Sequence, residues 1–357
     1  MNLTLMVKLQ PTPEQSIALI ETMERFNAAC NVIAEVAFQE RTANKVRLQQ
    51  IVYHDIRQQF GLSAQLTVRA ISKTCEAYKR DKTKQPSFRP RGAIVYDQRV
   101  LSWKGLDRVS ILTLQGRQLI PVVFGGYQSA RLKNIRGQVD LIYREGKFYL
   151  AVVVDVPEPP TNEPEDWLGV DLGIVNIATD SEGDAYSGGK VNGLRHRHSR
   201  LRANLQAKGT KSAKRLLKKR RQKESRFARN VNHVISKLLV AKAKGTGRGI
   251  ALEDLQGIRD RVTVRRSQRR VHHSWSFHQL RSFIEYKACL AGVLVVLVDP
   301  RNTSRTCPAC GYIAKANRRT QASFLCISCG FAGPADTIAA VNIRGRATVN
   351  LPDVGVA

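Results

Sequence analysis

Residues 167–173 read Trp-Leu-Gly-Val-Asp-Leu-Gly, a short apolar run with a single acid, Asp171, inside it. An apolar run of this length bounded by turn residues is typical of a buried strand. The ten residues before it, 157–166, hold four prolines and four acids. Because proline interrupts both helices and central strands, we predict a linker over residues 158–166 and a second domain that opens with this strand.

The chain before this linker starts as a strand and continues as helices. Residues 1–9 alternate between polar and apolar side chains as a strand does. Thr12, Pro13 and Gln15 then predict a helix start, since threonine can cap, proline fits the first helical position and glutamine completes a capping box. Helix-favouring sequence continues to about Tyr78.

From Pro86 onward the pattern changes to short alternating runs separated by glycine and proline, which predicts strands. The clearest pair reverses around residues 145–146 as a hairpin. We expect the N-terminal strand to join this sheet. The first part of the chain is therefore predicted to be a β-domain of residues 1–10 and 86–157 with a helical insertion of residues 11–85.

Composition excludes several classes of protein. A hydrophobic content of 43% is too high for a collagen-like or wholly disordered chain. The longest apolar run, residues 288–298, is too short to cross a bilayer and predicts a buried strand with its lead-in. No signal peptide pattern opens the chain. We therefore expect a cytosolic protein without a membrane partner.

The charge balance points to nucleic acid. Lys and Arg number 58 against 29 acids, a formal net charge of +29. The natural counter-charge for such a surplus is a polyanion, although a solvated basic coat is the alternative. Residues 195–229 carry fifteen of these cations and one acid, Glu224. We predict two helices divided at Gly209, the second closing with an apolar face of Val231, Val234, Ile235 and Leu238.

Two Cys-x-x-Cys knuckles predict a zinc ribbon. Cys307 and Cys310 are followed, after fifteen residues, by Cys326 and Cys329. Four thiolates fill a tetrahedral shell, so the zinc is expected to be structural. A pair of disulfides or a redox dithiol is the lesser alternative in a cytosolic chain. The remaining cysteines are scattered and are expected to be ordinary thiols.

Acids at the ends of apolar segments predict a second metal site. Asp171 and Glu253 each lie in or at the end of an apolar strand, and Asp336 precedes a short predicted helix. If these carboxylates converge, they form a hard oxygen-rich site suited to Mg²⁺, and two such ions support phosphodiester hydrolysis. Taken singly, Asp336 could merely cap its helix, and Asp254 could replace Glu253 as the ligand.

These motifs together resemble the TnpB family. The resemblance is carried by residues 169–174, 252–255, 275–280 and 285–288, by Thr303-Ser304 before the first knuckle, and by Asp336 with residues 339–343 after the second. The opening residues 11–15 are similar to the N-terminal signature of the family as well. Members are transposon-encoded RNA-guided DNA endonucleases, related to the compact type V CRISPR effectors.

The resemblance implies a multidomain α/β and α+β fold. It implies a wedge β-barrel-like domain with a helical recognition insertion, then a RuvC-type nuclease domain of RNase H fold over residues 167–300 and 333–350. The zinc ribbon, residues 301–332, lies before the last nuclease motif, and residues 351–357 form a tail. On this resemblance Asp171, Glu253 and Asp336 are the three catalytic, magnesium-binding acids.

The resemblance also implies partners. A guide RNA from the transposon end would pair with a double-stranded DNA target beside a short flanking motif, placing the cytoplasmic protein at the nucleoid when on target. The oligomeric state, monomer or dimer, is not implied. The residues expected to contact nucleic acid are Lys214, Arg215, Lys218, Lys219, Arg220, Arg221, Arg265, Arg266, Arg269 and Arg270.

One position departs from the family pattern. The family usually has Asn two residues after the last acid, where this chain has Ile338. Because the acid itself is retained, we expect the change to affect packing near the site rather than metal binding. Two other functions fit parts of the sequence: an RNA-guided DNA-binding repressor without cleavage, and a zinc-ribbon RNA-binding protein. The complete acidic trio favours the nuclease over both.

Overall fold

The structure is a computed structural model that divides into two compact units, Met1–Pro157 and Glu158–Ala357. It describes residues 1–105, 107–132, 135–161, 163–220, 222–255 and 277–349. Within these residues, no helix combines the length and the apolar character needed to span a bilayer.

Over its described residues, the first unit contains seven strands and four helices. The strands are β1 Asn2–Leu9, β2 Ile94–Tyr96, β3 Leu101–Lys104, β4 Arg108–Thr113, β5 Gly116–Val123, β6 Ile135–Arg144 and β7 Lys147–Asp155. The helices are α1 Pro13–Gln39, α2 Lys45–Phe60, α3 Ala64–Arg80 and the short α4 Gly126–Ser129.

The strands of this unit form one nearly closed antiparallel sheet in the order β2-β6-β7-β1-β5-β4-β3. β1 pairs with both β7 and β5, which confirms that the N-terminal strand joins the sheet. The hairpin between β6 and β7 closes with Arg144 opposite Lys147, as predicted.

The helical segment begins where the sequence predicts. Thr12 and Gln15 form the capping box, each side chain bonding to the other residue's backbone N–H, at 3.3 Å and 3.1 Å. α1 to α3 and the sheet share a single buried core, which includes Phe26, Ile71 and Leu150. The three helices, which lie between β1 and β2 in the chain, therefore pack on the sheet.

The second unit is built on a five-stranded mixed sheet in the order β10-β9-β8-β11-β12. Its strands are β8 Trp167–Asp171, β9 Asn176–Asp180, β10 Ala185–Ser187, β11 Gly249–Glu253 and β12 Val295–Val298. Its helices are α5 Gly189–Lys208, α6 Lys211–Arg220, α7 Lys223–Gly245, α8 Phe277–Ala291 and α9 Ala335–Val349.

The central strands β8, β11 and β12 run parallel, so their carboxyl ends share one edge of the sheet. α9 lies directly against β8. A Cβ on Gly169 would sit 2.0 Å from the Ala340 carbonyl oxygen, so only glycine permits this approach. Between β12 and α9, a small two-stranded sheet of β13 Ser323–Leu325 and β14 Ala332–Pro334 forms the ribbon that carries the cysteines.

Two predictions about this unit were wrong in part. The apolar run 288–298 is not one strand: its first residues end α8, and only Val295–Val298 form a strand. Gly209 does end α5 in the left-handed conformation, but the basic residues after it form two helices, α6 and α7, rather than one.

The predicted apolar face of α7 is only half buried: Ile235 lies in the core and Val231 packs against it, but the other two residues do not. Val234 and Leu238 are 51% and 48% exposed. The buried face of the helix mixes small, polar and apolar residues, namely Ala228, Asn232, Ile235, Ser236, Leu239, Val240 and Ala243. A stripe chosen by hydrophobicity alone does not anticipate the small and polar members of this face.

Candidate nuclease site

Two of the predicted acids end neighbouring parallel strands. Asp171 is the last residue of β8 and Glu253 the last of β11, and the register pairs Val170 with Leu252 one step before them. Both carboxylates therefore emerge from the same edge of the sheet. Since ligands bind at the carboxyl ends of the strands in open α/β sheets, this edge is where a site is expected.

The third acid reaches this edge from a helix. α9 begins at Ala335, so Asp336 is the second helical residue; it neither precedes the helix, as predicted, nor occupies the capping position. Its two carboxylate oxygens accept hydrogen bonds from side chains instead. Asn176 Nδ2 donates to Oδ2 at 3.0 Å, and Arg318 Nη2 donates to Oδ1 at 3.1 Å.

The pKa values of Asp171 and Glu253 reflect their burial and the charges around them. Burial, followed by the negative charges of Glu253 and Asp336, raises the pKa of Asp171 to about 7, although Arg318 opposes the shift. Burial also raises the pKa of Glu253, and a hydrogen bond from the Thr303 hydroxyl lowers it. Buried carboxylates that repel one another in this way favour binding of a cation.

Glu253, rather than the adjacent Asp254, belongs to this group. The charge of Glu253 acts on Asp171. Asp254 is 44% exposed and accepts a hydrogen bond from Arg281 Nη1 at 2.9 Å. The alternation of a strand, in which successive side chains leave opposite faces, explains why only one of two adjacent acids faces the site.

The acids are spread more widely than the ligands of a single ion. Among the described residues, the four ribbon cysteines are the group whose metal-ligating atoms all lie within 4.8 Å of one another. The three carboxylates do not form so tight a group.

The cysteine cluster has the dimensions of a tetrahedral metal site. Cys307 Sγ lies 3.6 Å from Cys329 Sγ, and Cys310 Sγ lies 3.6 Å from Cys326 Sγ. Disulfide sulfurs are about 2 Å apart, so the pairs are not disulfides. Metal–sulfur bonds of about 2.3 Å place tetrahedral sulfurs close to the observed spacing. The cluster could therefore hold a zinc ion.

Two family models match this chain. One, described as a probable transposase, covers residues 151–256, and the other, a Cas12f1-like TNB domain, covers residues 277–343. A TnpB-like protein of Methanocaldococcus jannaschii is 31% identical over 262 residues, which make up 66% of this chain and 90% of that protein. The chain belongs to the TnpB family.

Other relatives are longer than this TnpB-family chain. The CRISPR-associated endodeoxyribonuclease Cas12f1 of Sulfoacidibacillus thermotolerans is 34% identical over 219 residues, 56% of this chain and 50% of that protein. The chain thus aligns with only half the length of this relative. The cryo-EM structure of a Cas12f1–sgRNA–target DNA complex superimposes with a TM-score of 0.59, covering 92% of this chain and 83% of that one. Its sequence identity is 16%, so the likeness concerns the fold.

Sequence reasoning missed several residues at the site of this TnpB-family chain. Arg318 comes from the ribbon, and Asn176 begins β9; both bond to Asp336. Asn317, which is fully buried, donates to the carbonyls of Arg305 and Tyr312 and accepts from the Ile327 N–H, so it joins the two knuckles. One asparagine or arginine among many carries no local signal that would have identified it.

Ile338, the position that departs from the family pattern, packs against the ribbon. Ile338 is 4% exposed and packs with Cys307, Phe324, Cys326 and Ala335 in one small apolar cluster. Two of these partners are cysteines of the metal cluster. The metal cluster and the helix that carries Asp336 are therefore in direct contact.

The predicted nucleic-acid-binding residues lie only partly within the described residues. On α6, Lys214, Arg215, Lys218 and Lys219 are exposed and Arg220 is half-buried. Arg221, Arg265, Arg266, Arg269 and Arg270 lie outside the described residues. The single acid of this region, Glu224, pairs with Arg195 and Arg202 at 3.7 Å and 3.3 Å.

Proposed function

We propose that this TnpB-family chain is an RNA-guided DNA endonuclease that uses Mg²⁺ at Asp171, Glu253 and Asp336. The observation that carries the proposal is that carboxylates from β8, β11 and α9 interact, with the other two charges raising the pKa of the buried Asp171. The relatives support the reaction class, since Cas12f1 is named an endodeoxyribonuclease.

The donor set fits magnesium. Carboxylate oxygens are the hard ligands that this ion prefers. Two bound ions would activate a water and stabilise the leaving oxygen of a phosphodiester. The chain itself holds the ligands: the Thr303 hydroxyl bonds to Glu253, and Arg318 and Asn176 bond to Asp336. The trio favours the nuclease over a repressor that only binds DNA.

The guide would be a transposon-end RNA. Base pairing would choose the DNA target, and the protein would read a short flanking motif and the backbone. A relative's structure contains sgRNA and target DNA, which supports these partners. In the proposed division, residues 1–10 and 86–157 are the wedge, 11–85 the recognition domain, 167–300 and 333–350 the RuvC-type nuclease, and 301–332 the inserted zinc ribbon.

The decisive experiment is purification from a plasmid carrying the native flanking DNA, followed by sequencing of the bound RNA. We expect one defined transcript from the transposon end. The complex should cut DNA that matches the guide, and cutting should require Mg²⁺. Asp171→Ala should retain guided DNA binding and lose cleavage. Absence of a defined RNA, or unchanged cutting by Asp171→Ala, would contradict the proposal.

The ribbon cluster predicts one bound zinc ion. Cys326→Ser removes one of four ligands, so we expect metal analysis to show loss of zinc and thermal unfolding to show a destabilised second unit. Cys289→Ser is the matched control, because Cys289 lies outside the cluster and is half-buried. Equal zinc content in the wild type and Cys326→Ser would reject the assignment.

A further inference from the structure

A neutral side-chain amide donates a hydrogen bond to Asp336, the third acid of the site. Asn176 Nδ2 donates to Asp336 Oδ2 at 3.0 Å, while the charged partner, Arg318, bonds to the other oxygen. We propose that Asn176 is a positioning residue that orients the Asp336 carboxylate for metal binding. The inference rests on the proposed nuclease function and extends it to a residue that contacts no substrate.

The backbone that carries Asn176 is a tight turn between β8 and β9. The Gly173 N–H donates to the Ile177 carbonyl at 3.3 Å. A Cβ on Gly173 would lie 2.6 Å from the Asn176 carbonyl oxygen, so a larger residue would push the turn open. The turn therefore returns Asn176 to the strand end where Asp171 lies, five residues earlier in the chain.

The same turn is held from its other side. The Gly188 N–H donates to the Val175 carbonyl at 2.7 Å, and Asn192 Nδ2 donates to the Ile174 carbonyl at 2.9 Å. A Cβ on Gly188 would approach the Ile174 carbonyl oxygen to 2.6 Å and the Val175 carbonyl oxygen to 2.8 Å. Three contacts thus fix the turn between β8 and β9. Asn176, the first residue after this turn, donates its short side-chain amide to Asp336.

The two donors on Asp336 differ in what they allow. Arg318 is a long cation that occupies Oδ1 and competes with any bound ion for the carboxylate charge. Asn176 is neutral and bonds to Oδ2, so it can remain in place while Oδ1 faces a cation. Removing a side chain that orients a metal-binding carboxylate typically lowers metal affinity by about 10- to 100-fold.

A set of three substitutions separates hydrogen bonding from packing. Asn176→Leu keeps the side-chain volume and removes the donor, Asn176→Ala removes both, and Asn176→Gln keeps an amide. Each RNA-loaded protein is titrated with Mn²⁺ and free ion is read by electron paramagnetic resonance. Thiolates bind this hard ion poorly, so the ribbon does not interfere.

We expect Asn176→Leu and Asn176→Ala to weaken Mn²⁺ binding about tenfold, and Asn176→Gln to stay within about threefold of the wild type. Their cleavage should need about tenfold more Mg²⁺ and recover when it is supplied. Asn204→Leu, at an exposed position on α5, is the control and should change neither measurement. Wild-type affinity in Asn176→Leu, or equal losses in all three variants, would overturn the inference.

Asp336→Ala is measured in parallel so that the two proposals can fail separately. If Asp336→Ala binds Mn²⁺ and cleaves as the wild type does, the proposed catalytic site is wrong. If Asp336→Ala loses both while Asn176→Leu loses neither, the site stands and only the positioning role is rejected. Gly188→Ala, which displaces the turn without altering the amide, should reproduce the weaker Mn²⁺ binding; unchanged binding would also count against the inference.

Discussion

Among the described residues of the second unit are two clusters of three acids, and the protein compensates their negative charges in different ways. In the lysine-filled cluster, Asp180, Glu182 and Asp184 surround the ammonium of Lys242, with N–O distances of 2.6, 2.7 and 2.6 Å. Burial alone would lower the pKa of Lys242, but its bonds to the three carboxylates raise it. Bonds from Lys242 and Arg248 lower the pKa of Glu182 to about 2. Each of the three carboxylates thus bonds to a cation of the protein.

The strand-end cluster, Asp171, Glu253 and Asp336, has the same number of acids and a different electrostatic state. Arg318 bonds to Asp336, the charge of Arg346 also acts on Glu253, and neutral donors come from Asn176 and Thr303. The pKa of Asp171 is raised to about 7. A count of acids therefore does not identify a functional site. The useful indicator is buried negative charge that the protein does not neutralise by itself.

The largest expected difference between the clusters is in cleavage. Asp171→Asn keeps the side-chain shape but removes a ligand charge, so we expect guided DNA cleavage to fall by roughly 10³-fold or more. Asp184→Asn is the matched change in the lysine-filled cluster and should cleave within about threefold of the wild type. Cleavage rates are compared at saturating Mg²⁺. Equal loss of cleavage in both variants would contradict a functional difference between the two clusters.

The lysine-filled cluster should matter for folding. Lys242→Met leaves the fully buried Asp180 without its counter-charge, and breaking a buried ion pair in this way costs about 3–5 kcal/mol. We expect urea denaturation to show this loss, whereas the exposed Lys244→Met on the same helix should be within about 0.5 kcal/mol of the wild type. If added Mg²⁺ restored the stability of Lys242→Met, this cluster would be a cation site too.

The two clusters predict opposite responses to pH. The ordinary pKa of Asp171 is 3.8, and its pKa in the folded protein is about 7. Between these two pH values, and without divalent ions, the folded protein keeps a proton on Asp171 that the unfolded chain has lost. Stability therefore falls as the pH rises through this window. Asp171→Asn should be more stable than the wild type at pH 8, by on the order of 1–3 kcal/mol, and equal to it below pH 4.

For Glu182 the sign is reversed. Its pKa is lowered from 4.5 to about 2, so its contribution is present above pH 4.5 and lost as the pH falls toward 2. Because this side chain is largely exposed, Glu182→Gln should change stability only slightly, and only at the higher pH. Urea denaturation of both variants at several pH values tests the pair. Parallel pH curves for Asp171→Asn and Glu182→Gln would contradict the comparison.

The smallest effect is expected from charge that belongs to neither cluster. Lys214, Lys218 and Lys219 are exposed on α6, and replacing all three with Ala should weaken nucleic-acid binding by about tenfold at moderate salt. The slope of log affinity against log salt should fall by up to about 3, one for each lost phosphate contact. Cleavage of bound DNA should be unchanged. An unaltered slope would mean that this surface does not contact phosphates.

Features of local sequence predicted a large part of this structure. The knuckle spacing predicted the cysteine cluster, the capping box predicted the start of α1, and apolar runs predicted the strands that end in Asp171 and Glu253. Each depends on residues within a few positions of one another, where backbone geometry follows directly from residue type. The prediction for the buried face of α7 was right for Ile235 and wrong for Val234 and Leu238, because the face that meets the core also includes small and polar residues.

The sequence by itself determined which residue types the site contains and which elements carry them. Only the tertiary structure decided that Glu253 rather than Asp254 faces Asp171, and that Arg318 and Asn176 are the partners of Asp336. Asn176 and Asp336 are 160 residues apart, and their contact exists because α9 packs on β8. Contacts at such separation depend on how whole elements pack, and no short stretch of sequence contains that information.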